Sequence, residues 1–541
     1  MKRQLPPYVQ ALLDPSAYPE RPETVEFVQT HISYVFLVGA SVYKLKKPVN
    51  FGFLDFSSPE LRQRACLEEV RLNRRLSPDV YLGVIPVTEQ GGLVTLACAG
   101  RVIDWAVHMR RLPQERMLER LIATDAVPGA TAQELGEVVG RFHLAADRGE
   151  RITAIGGHRA VVENWQENFA QMRPYRGKTI EPADDDMIQA YVAGFLGREG
   201  TLLEERGAEG YIRDLHGDLR SAQIWALERP PEPPEHPTPA ERDLLRDLGG
   251  IRILDCIEFN ERLRFCDTAS DAAFLAMDFA FRGRQDLADA FFGRYLEVTG
   301  DVRLPLLLDF YGCYRAYVRG KVDSLALTER EIDAAGRRHL ARRARRFFRL
   351  ATSYTARSHP PRLVLIMGIS GSGKSYLARQ LACRIGAVLL SSDLVRKQLS
   401  GTPPTTRGAE DLYSADRTAQ TYAALIAAAG DELARGHPVI LDATFLQAAL
   451  RVQAHALALR MRAPFSLIWC QATPETIERR VKDRANDAWS VSDADLRVVH
   501  KQMGLLEPPS ELELGQVIRA DTARPLLPLL SRLERRLSVT V

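Results

Sequence analysis

No apolar run in the 541 residues approaches the ~20 needed to cross a bilayer. The opening M-K-R-Q-L-P-P-Y has prolines where a secretory signal needs its apolar core. Cysteine is scarce. Seven residues stand singly at Cys66, Cys98, Cys256, Cys266, Cys313, Cys383 and Cys470, and no C-x-x-C pair occurs. That argues against a zinc site or a disulfide framework, and an odd number of dispersed thiols suits a reducing compartment. The expectation is a soluble cytoplasmic protein. Charge of one sign is also missing: 72 basic against 69 acidic residues leave a formal net charge of +3. A nucleic-acid partner therefore has no support from overall charge. No internal repeat is visible. What remains is an ordinary globular composition, 45% hydrophobic and 26% charged, long enough for two to four domains.

The most specific stretch is 363–375, L-V-L-I-M-G-I-S-G-S-G-K-S. Its apolar start reads as a buried parallel strand. The rest fits G-x-x-x-x-G-K-[ST] at every fixed position, and apolar periodicity resumes after it as a helix. Gly368, Gly371 and Gly373 let the backbone close on phosphate oxygens, with N–H groups along Ser370 and Ser372 turned inward. The helix N-terminus behind them adds unpaired donors. Lys374 is expected to neutralise the β- and γ-phosphates and the Ser375 hydroxyl to ligate Mg²⁺. The cofactors implied are ATP and Mg²⁺.

Downstream, 388–393 reads as a strand ending at Asp393, and Asp393 with Arg396 forms D-x-x-R at its carboxyl end. Ligands bind outside the carboxyl ends of strands in open α/β sheets. The stretch 438–444 is a further strand carrying Asp442 near its end, and 476–484 is a helix with Arg480 and Arg484 one turn apart. This half resembles the P-loop kinases of the polynucleotide 5′-kinase, gluconate kinase and zeta-toxin group. The resemblance implies that Asp393 activates an acceptor hydroxyl and Arg396 holds the acceptor. It also implies that Asp442 orients the Mg²⁺ water and that the arginines sit on a lid over the phosphates. The plain alternatives are a helix N-cap for Asp393 and a solvated helix face for the arginines.

The first half opens with a hairpin, 32–38 and 41–47, whose second strand puts Lys44 and Lys46 on one face. A helix over 62–76 carries Glu68 and Glu69, a second hairpin spans 84–97, and a strand over 104–110 leads to Arg111-Leu112-Pro113. Helices are expected over 132–146, 160–172, 185–197 and 201–209. Then come H-G-D-L at 216–219, Gln223, and a strand over 251–255 ending in Asp255. Between them, 228–250 carries six prolines in its first half and reads as an exposed insertion. A basic, tyrosine-bearing helix over 310–322 suits an anionic cleft as well as a solvated face.

Residues 30–325 resemble the aminoglycoside phosphotransferase branch of the kinase-like fold. The matching pieces are Y-K-L-K-K-P (43–48), F-L-D-F-S (53–57), L-N-R-R-L (72–76), H-G-D-L (216–219) and D-C-I-E-F-N (255–260). Bacterial proteins that fuse such a domain to a P-loop ATPase are the nearest pattern. The resemblance implies Lys46 as the phosphate-gripping lysine, with Lys44 its rival, and Glu69 as its partner. It places 107–109, including Met109, along the adenine. It implies Asp218 as catalytic base, and Gln223 and Asp255 as metal ligands. Gln223 departs from the family's asparagine, and Arg220-Ser221-Ala222 from its His-Leu-Gly.

The expected architecture is a bilobal α+β kinase-like domain (1–352), a linker (353–361), and an α/β P-loop domain with a parallel sheet (362–541). The expected function is ATP-dependent phosphotransfer to a hydroxyl-bearing acceptor, with the first domain binding Mg–ATP for a second small molecule. The rivals are a regulatory ATPase with an inactive kinase-shaped scaffold, and a toxin-like kinase acting on a nucleotide sugar or nucleic-acid end.

Overall fold

The computed structural model describes residues 5–50, 52, 54–233, 237–329, 332–402, 414–484, 494–510 and 517–538. Phe53 of the F-L-D-F-S stretch and 234–236 of the proline-rich insertion lie outside them. The chain divides into two compact units. The first comprises 1–131, 141–283 and 314–351; the second comprises 132–140, 284–313 and 352–541.

The first unit is α+β. Its sheet is antiparallel, in the order β1 (Glu26–Gln29), β2 (Ser33–Val38), β3 (Ser41–Lys46), β6 (Arg101–Arg110), β4 (Tyr81–Gln90), β5 (Leu93–Leu96). β2 and β3 close as the expected hairpin around Gly39, which takes φ 54°. Helix Pro59–Asn73 starts on Ser58, whose hydroxyl accepts from the Leu61 N–H at 3.3 Å, with proline at the first helical position. It buries Cys66 and Val70 against Val107 and Met109 of β6 and against Tyr81, Trp225 and Leu254. Beyond the sheet come helices and two short ribbons, β7 (Ile212–Asp214) with β10 (Phe265–Asp267), and β8 (Ile224–Ala226) with β9 (Ile251–Ile253). The two helices expected over 185–197 and 201–209 are one, Pro182–Ala208, because Gly197 and Gly200 weaken the apolar pattern without ending the helix. In the insertion, a capping box of Thr238 and Glu241 starts helix Pro239–Leu248 directly after the prolines.

The second unit is α/β. Five parallel strands run in the order β12 (Val388–Ser391), β13 (Val439–Asp442), β11 (Leu363–Met367), β14 (Phe465–Gln471), β15 (Val517–Asp521). All five residues of β11 are buried, as a central parallel strand covered on both faces requires. Helices Lys374–Ile385 and Leu526–Ser538 cover one face, with Leu377, Leu381, Leu530 and Leu533 in the core. Helices Ala415–Ala434 and Ala448–Arg460 cover the other, with Tyr422, Leu425, Ala454 and Leu457.

Helix Gln285–Thr299 belongs to this unit, although it precedes residue 352. It lies along helix Lys374–Ile385, joined by Arg384 to Asp289 and by Arg379 to Glu297 at 3.0 Å. Past its end, the Val302 carbonyl accepts from the Leu389 N–H at 3.1 Å and so occupies the open edge of β12. Helix Ala334–Thr355 continues through the start of the segment expected to be a linker. Among the described residues no helix is long and apolar enough to cross a membrane.

Candidate active sites

The sequence motif at 368–375 folds as a phosphate loop at the carboxyl end of central β11. A Cβ on Gly368, which takes φ 152°, would stand 2.5 Å from the Ser372 Oγ and 2.8 Å from the Cys470 carbonyl oxygen. Glycine is therefore required there on steric and conformational grounds. Gly373, at φ 80°, caps helix Lys374–Ile385 at its N-terminus. The loop is tied down from outside. Thr522 Oγ1 donates to the Ser372 carbonyl at 2.7 Å, and Arg480 donates to Thr522 Oγ1 at 3.0 Å and to its carbonyl at 2.6 Å. The Ser370 N–H donates to Gln502 Oε1 at 2.7 Å. Sequence gave no signal for Thr522 or Gln502, which lie far along the chain from the motif.

One cavity of about 240 Å³ gathers the second unit's chemistry. Gly371, Gly373, Lys374 and Ser375 line it together with Asp393, Asp442 and Arg480. Residues 296–302 form another wall, a contribution that sequence placed in the other domain. Two buried oxygens at the loop, Ser372 Oγ and Asp442 Oδ1, have no hydrogen-bond partner among the described residues. Such buried orphans are rare in folded proteins and suit groups that wait for a ligand. Burial pushes the Asp442 carboxyl up from its ordinary value against the pull of Lys374 and Ser375, and the Asp393 charge adds to the rise. A bound cation reverses that penalty.

Asp393 is not a helix cap. Ser391 caps helix Ser392–Leu399, accepting from the Asp393 N–H at 3.3 Å, which leaves the Asp393 carboxylate to Arg396 at 3.1 Å. Arg480 reaches the loop itself, whereas the Arg484 side chain lies outside the described residues.

In the first unit the structure sets the two lysines in different surroundings. Lys46 is wholly buried and pairs with Glu258 and, at 2.5 Å, with Glu69. It cannot reach a ligand. Lys44 stands at the surface of the site, bridging Glu69 at 2.8 Å and Asp255 at 2.7 Å. Burial pushes the Glu69 carboxyl up, but Lys44 and Lys46 outweigh it and hold the group at about 2. Glu258 lies within the D-C-I-E-F-N stretch, yet only the fold brings it to Lys46.

Asp255 lies two residues past β9 rather than at a strand end, with φ 65°. Left-handed backbone is uncommon outside glycine, and aspartate is among the residues that tolerate it. The turn directs its carboxylate to Lys44 and, at 3.4 Å, to the Gln223 amide. Met109 does not lie along an open edge. It sits inside β6 in register with Val42 on one side and Tyr81 on the other, and the chain leaves the sheet only after Arg110.

The H-G-D-L loop is rigidly held. The His216 Nε2 bonds the Leu254 carbonyl at 2.9 Å, and Asp271 accepts from the N–H groups of His216 and Gly217 at 3.2 and 3.1 Å. Asp218 is gripped by Arg220 through both carboxylate oxygens, at 2.7 and 2.6 Å. Burial pushes this carboxyl up, but the Arg220 guanidinium more than offsets it, leaving about 2. Asp218 is thus ionised and positioned.

Among the described residues no group of three or more His, Cys, Asp and Glu is arranged to hold a metal. Mg²⁺ is commonly held by one or two carboxylates plus substrate phosphates and water. Asp442 with Ser375, and Asp255 with Gln223, are oxygen donors of that kind.

These features define a class: an α+β kinase-like unit with a fixed H-G-D loop, joined to an α/β unit with a phosphate loop. A family model described as an AAA domain matches residues 363–509. The chain belongs to the family of the Mycobacterium tuberculosis protein Rv2004c, with which it is 32% identical over 93% of both chains. A Mycobacterium bovis member, Mb2027c, matches to the same extent. Among solved structures, a gluconokinase from Sinorhizobium meliloti 1021 matches 34% of this chain and 98% of its own, at 22% identity and a TM-score of 0.24. A choline/ethanolamine kinase family protein from Mesorhizobium loti matches 64% of this chain and 98% of its own, at 11% identity and a TM-score of 0.36.

Proposed function

We propose that the protein is an ATP-dependent phosphotransferase whose second unit moves the γ-phosphate of ATP to a hydroxyl acceptor. The observation that carries this reading is the single cavity holding Lys374, Ser375, Asp442 and Asp393. In it the loop N–H groups and Lys374 bind the phosphates. Asp442 and Ser375 are the residues that would hold Mg²⁺, which would supply neutralisation of charge on the transferring phosphates. Asp393, kept in orientation by Arg396, accepts the proton of the attacking hydroxyl. Arg480 closes the loop side. The acceptor enters along the wall built by 296–302.

The first unit is a second Mg–ATP site. Lys44, rather than Lys46, is the phosphate-gripping lysine, Glu69 orients it, Asp255 and the Gln223 amide oxygen would hold a metal ion, and Asp218 positions the acceptor hydroxyl. One observation favours the rival reading of a non-catalytic binding platform: Arg220 occupies both oxygens of Asp218.

The test uses the full chain with γ-labelled ATP and a pooled metabolite extract, following label into product. Asp393→Asn is expected to bind ATP normally and to transfer at least about a hundredfold more slowly. Lys374→Ala is expected to lose the bulk of transfer. Undiminished transfer by Asp393→Asn would sink the proposed chemistry of the second unit.

A further inference from the structure

The charge around Asp218 says what kind of acceptor the first unit takes. Helix Leu308–Ala326 presents Arg315, Arg319 and Asp323 at four-residue spacing along one face. Arg315 is fully engaged. It donates to the Gly217 carbonyl at 3.0 Å and to the Ser270 carbonyl at 3.2 Å, and its guanidinium lies over the Phe274 ring. It therefore anchors the H-G-D loop to this helix. Asp323 is also engaged, forked by Arg343 at 2.7 Å through both oxygens. Arg319, between them, makes no hydrogen bond or ion pair among the described residues, and its Nε is buried without a partner.

The charges that act most on Arg319 are Arg220, Asp218, Asp323 and Arg343. Burial and the Arg220 charge lower its pKa to about 10, the mark of a guanidinium short of anionic company. Asp218 is already held by Arg220, and Asp323 by Arg343. Arg220 and Arg319 thus both act on Asp218, while Asp278 and Asp255 also act on Arg220, so Arg319 is the guanidinium left without a carboxylate of its own. The nearby Lys321 adds no compensation, since it bonds the neutral amides of Asn168 and Gln171.

Resting on the reading of this unit as a kinase, we propose that its acceptor is a hydroxyl compound bearing an acidic group, a phosphate or carboxylate, which Arg319 binds. A polycationic acceptor such as an aminoglycoside would meet like charge here, at a cost that charge complementarity makes prohibitive. An anion supplies the oxygens that Arg319 lacks, in the forked geometry a guanidinium prefers. In the transfer, the acceptor oxygen bonds to the γ-phosphorus as the bond to the β-bridging oxygen breaks. ADP leaves with that electron pair, and the hydroxyl proton passes to Asp218.

The test uses the full chain carrying Lys374→Ala, which disables the other phosphate site, and methyl phosphate as probe in low salt. Calorimetric titration is expected to show saturable binding, weakened about tenfold or more by Arg319→Gln and partly restored by Arg319→Lys. Kanamycin is expected to give no heat. Equal methyl phosphate binding with and without Arg319, no saturable binding at all, or kanamycin binding in its place would each overturn the proposal. A parallel titration with Mg–ATP separates the two readings. Binding in both Lys374→Ala and its Arg319→Gln derivative assigns the loss of methyl phosphate to Arg319 alone. No Mg–ATP binding in either overturns the kinase reading and the transfer step with it.

Discussion

Lys44 and Lys46 share one strand face, two positions apart, and the fold gives them different surroundings. Lys46 holds a buried charge cluster with Glu69 and Glu258. Removing one partner of a buried pair costs about 3–5 kcal/mol because the other charge is left uncompensated. Lys46→Ala is therefore expected to lower unfolding stability by that order, seen as a lower denaturant midpoint. Lys44→Ala is expected to spare stability and remove Mg–ATP binding from the first unit; the reverse pattern would restore the sequence assignment. Sequence could not separate the two, because the deciding residue, Glu258, lies more than two hundred positions away. The acid limb involves Glu69 of this cluster and Asp218 of the H-G-D loop. Glu69 and Asp218 are both held at about 2, below ordinary values of 4.5 and 3.8. Depressed carboxylates stabilise the fold fully above their unfolded values and lose that contribution as pH falls toward the folded ones. The contribution of Glu69 and Asp218 to stability should therefore be constant above about pH 5 and be lost between there and pH 2, below the ordinary value of 6.5 at which the loss from buried His216 begins. A flat profile down to pH 2, followed by circular dichroism, would contradict the pairing.

At the level of elements, the strongly patterned pieces were legible. The phosphate loop and its flanking strand and helix follow from five apolar residues, a fixed glycine pattern and resumed helical periodicity. The β2–β3 hairpin follows from Gly39 between two β-rich runs. What periodicity cannot reveal is which sheet a helix serves. Helix Gln285–Thr299 reads as one more amphipathic helix of the first domain, yet it packs on helix Lys374–Ile385, and the next residues close the β12 edge and line the cavity. A fragment beginning at residue 355 lacks that wall and exposes an edge strand. It is expected to associate and to bind ATP more weakly than the full chain in the same calorimeter. Monomeric behaviour with full affinity would show that 284–313 is dispensable. Within the core, Leu381→Ala removes a wholly buried side chain under the sheet. It is expected to cost about 2–5 kcal/mol of stability, read from chemical denaturation.

At the scale of the whole molecule, the chain is proposed to carry two phosphate-handling sites, each built within its own unit. The first relies on long-range ion pairs among Lys44, Glu69 and Asp255, and the second on a local loop. That difference explains why the second was plain in sequence and the first needed the fold. The most direct measurement is the number of Mg–ATP molecules bound per full-length chain, titrated in wild type, Lys374→Ala and Lys44→Ala. The expected result is two in wild type, one in each single variant and none in the double variant. A single nucleotide in wild type that vanishes with Lys374→Ala would contradict the account, leaving the kinase-like unit as a scaffold beside one active phosphate loop.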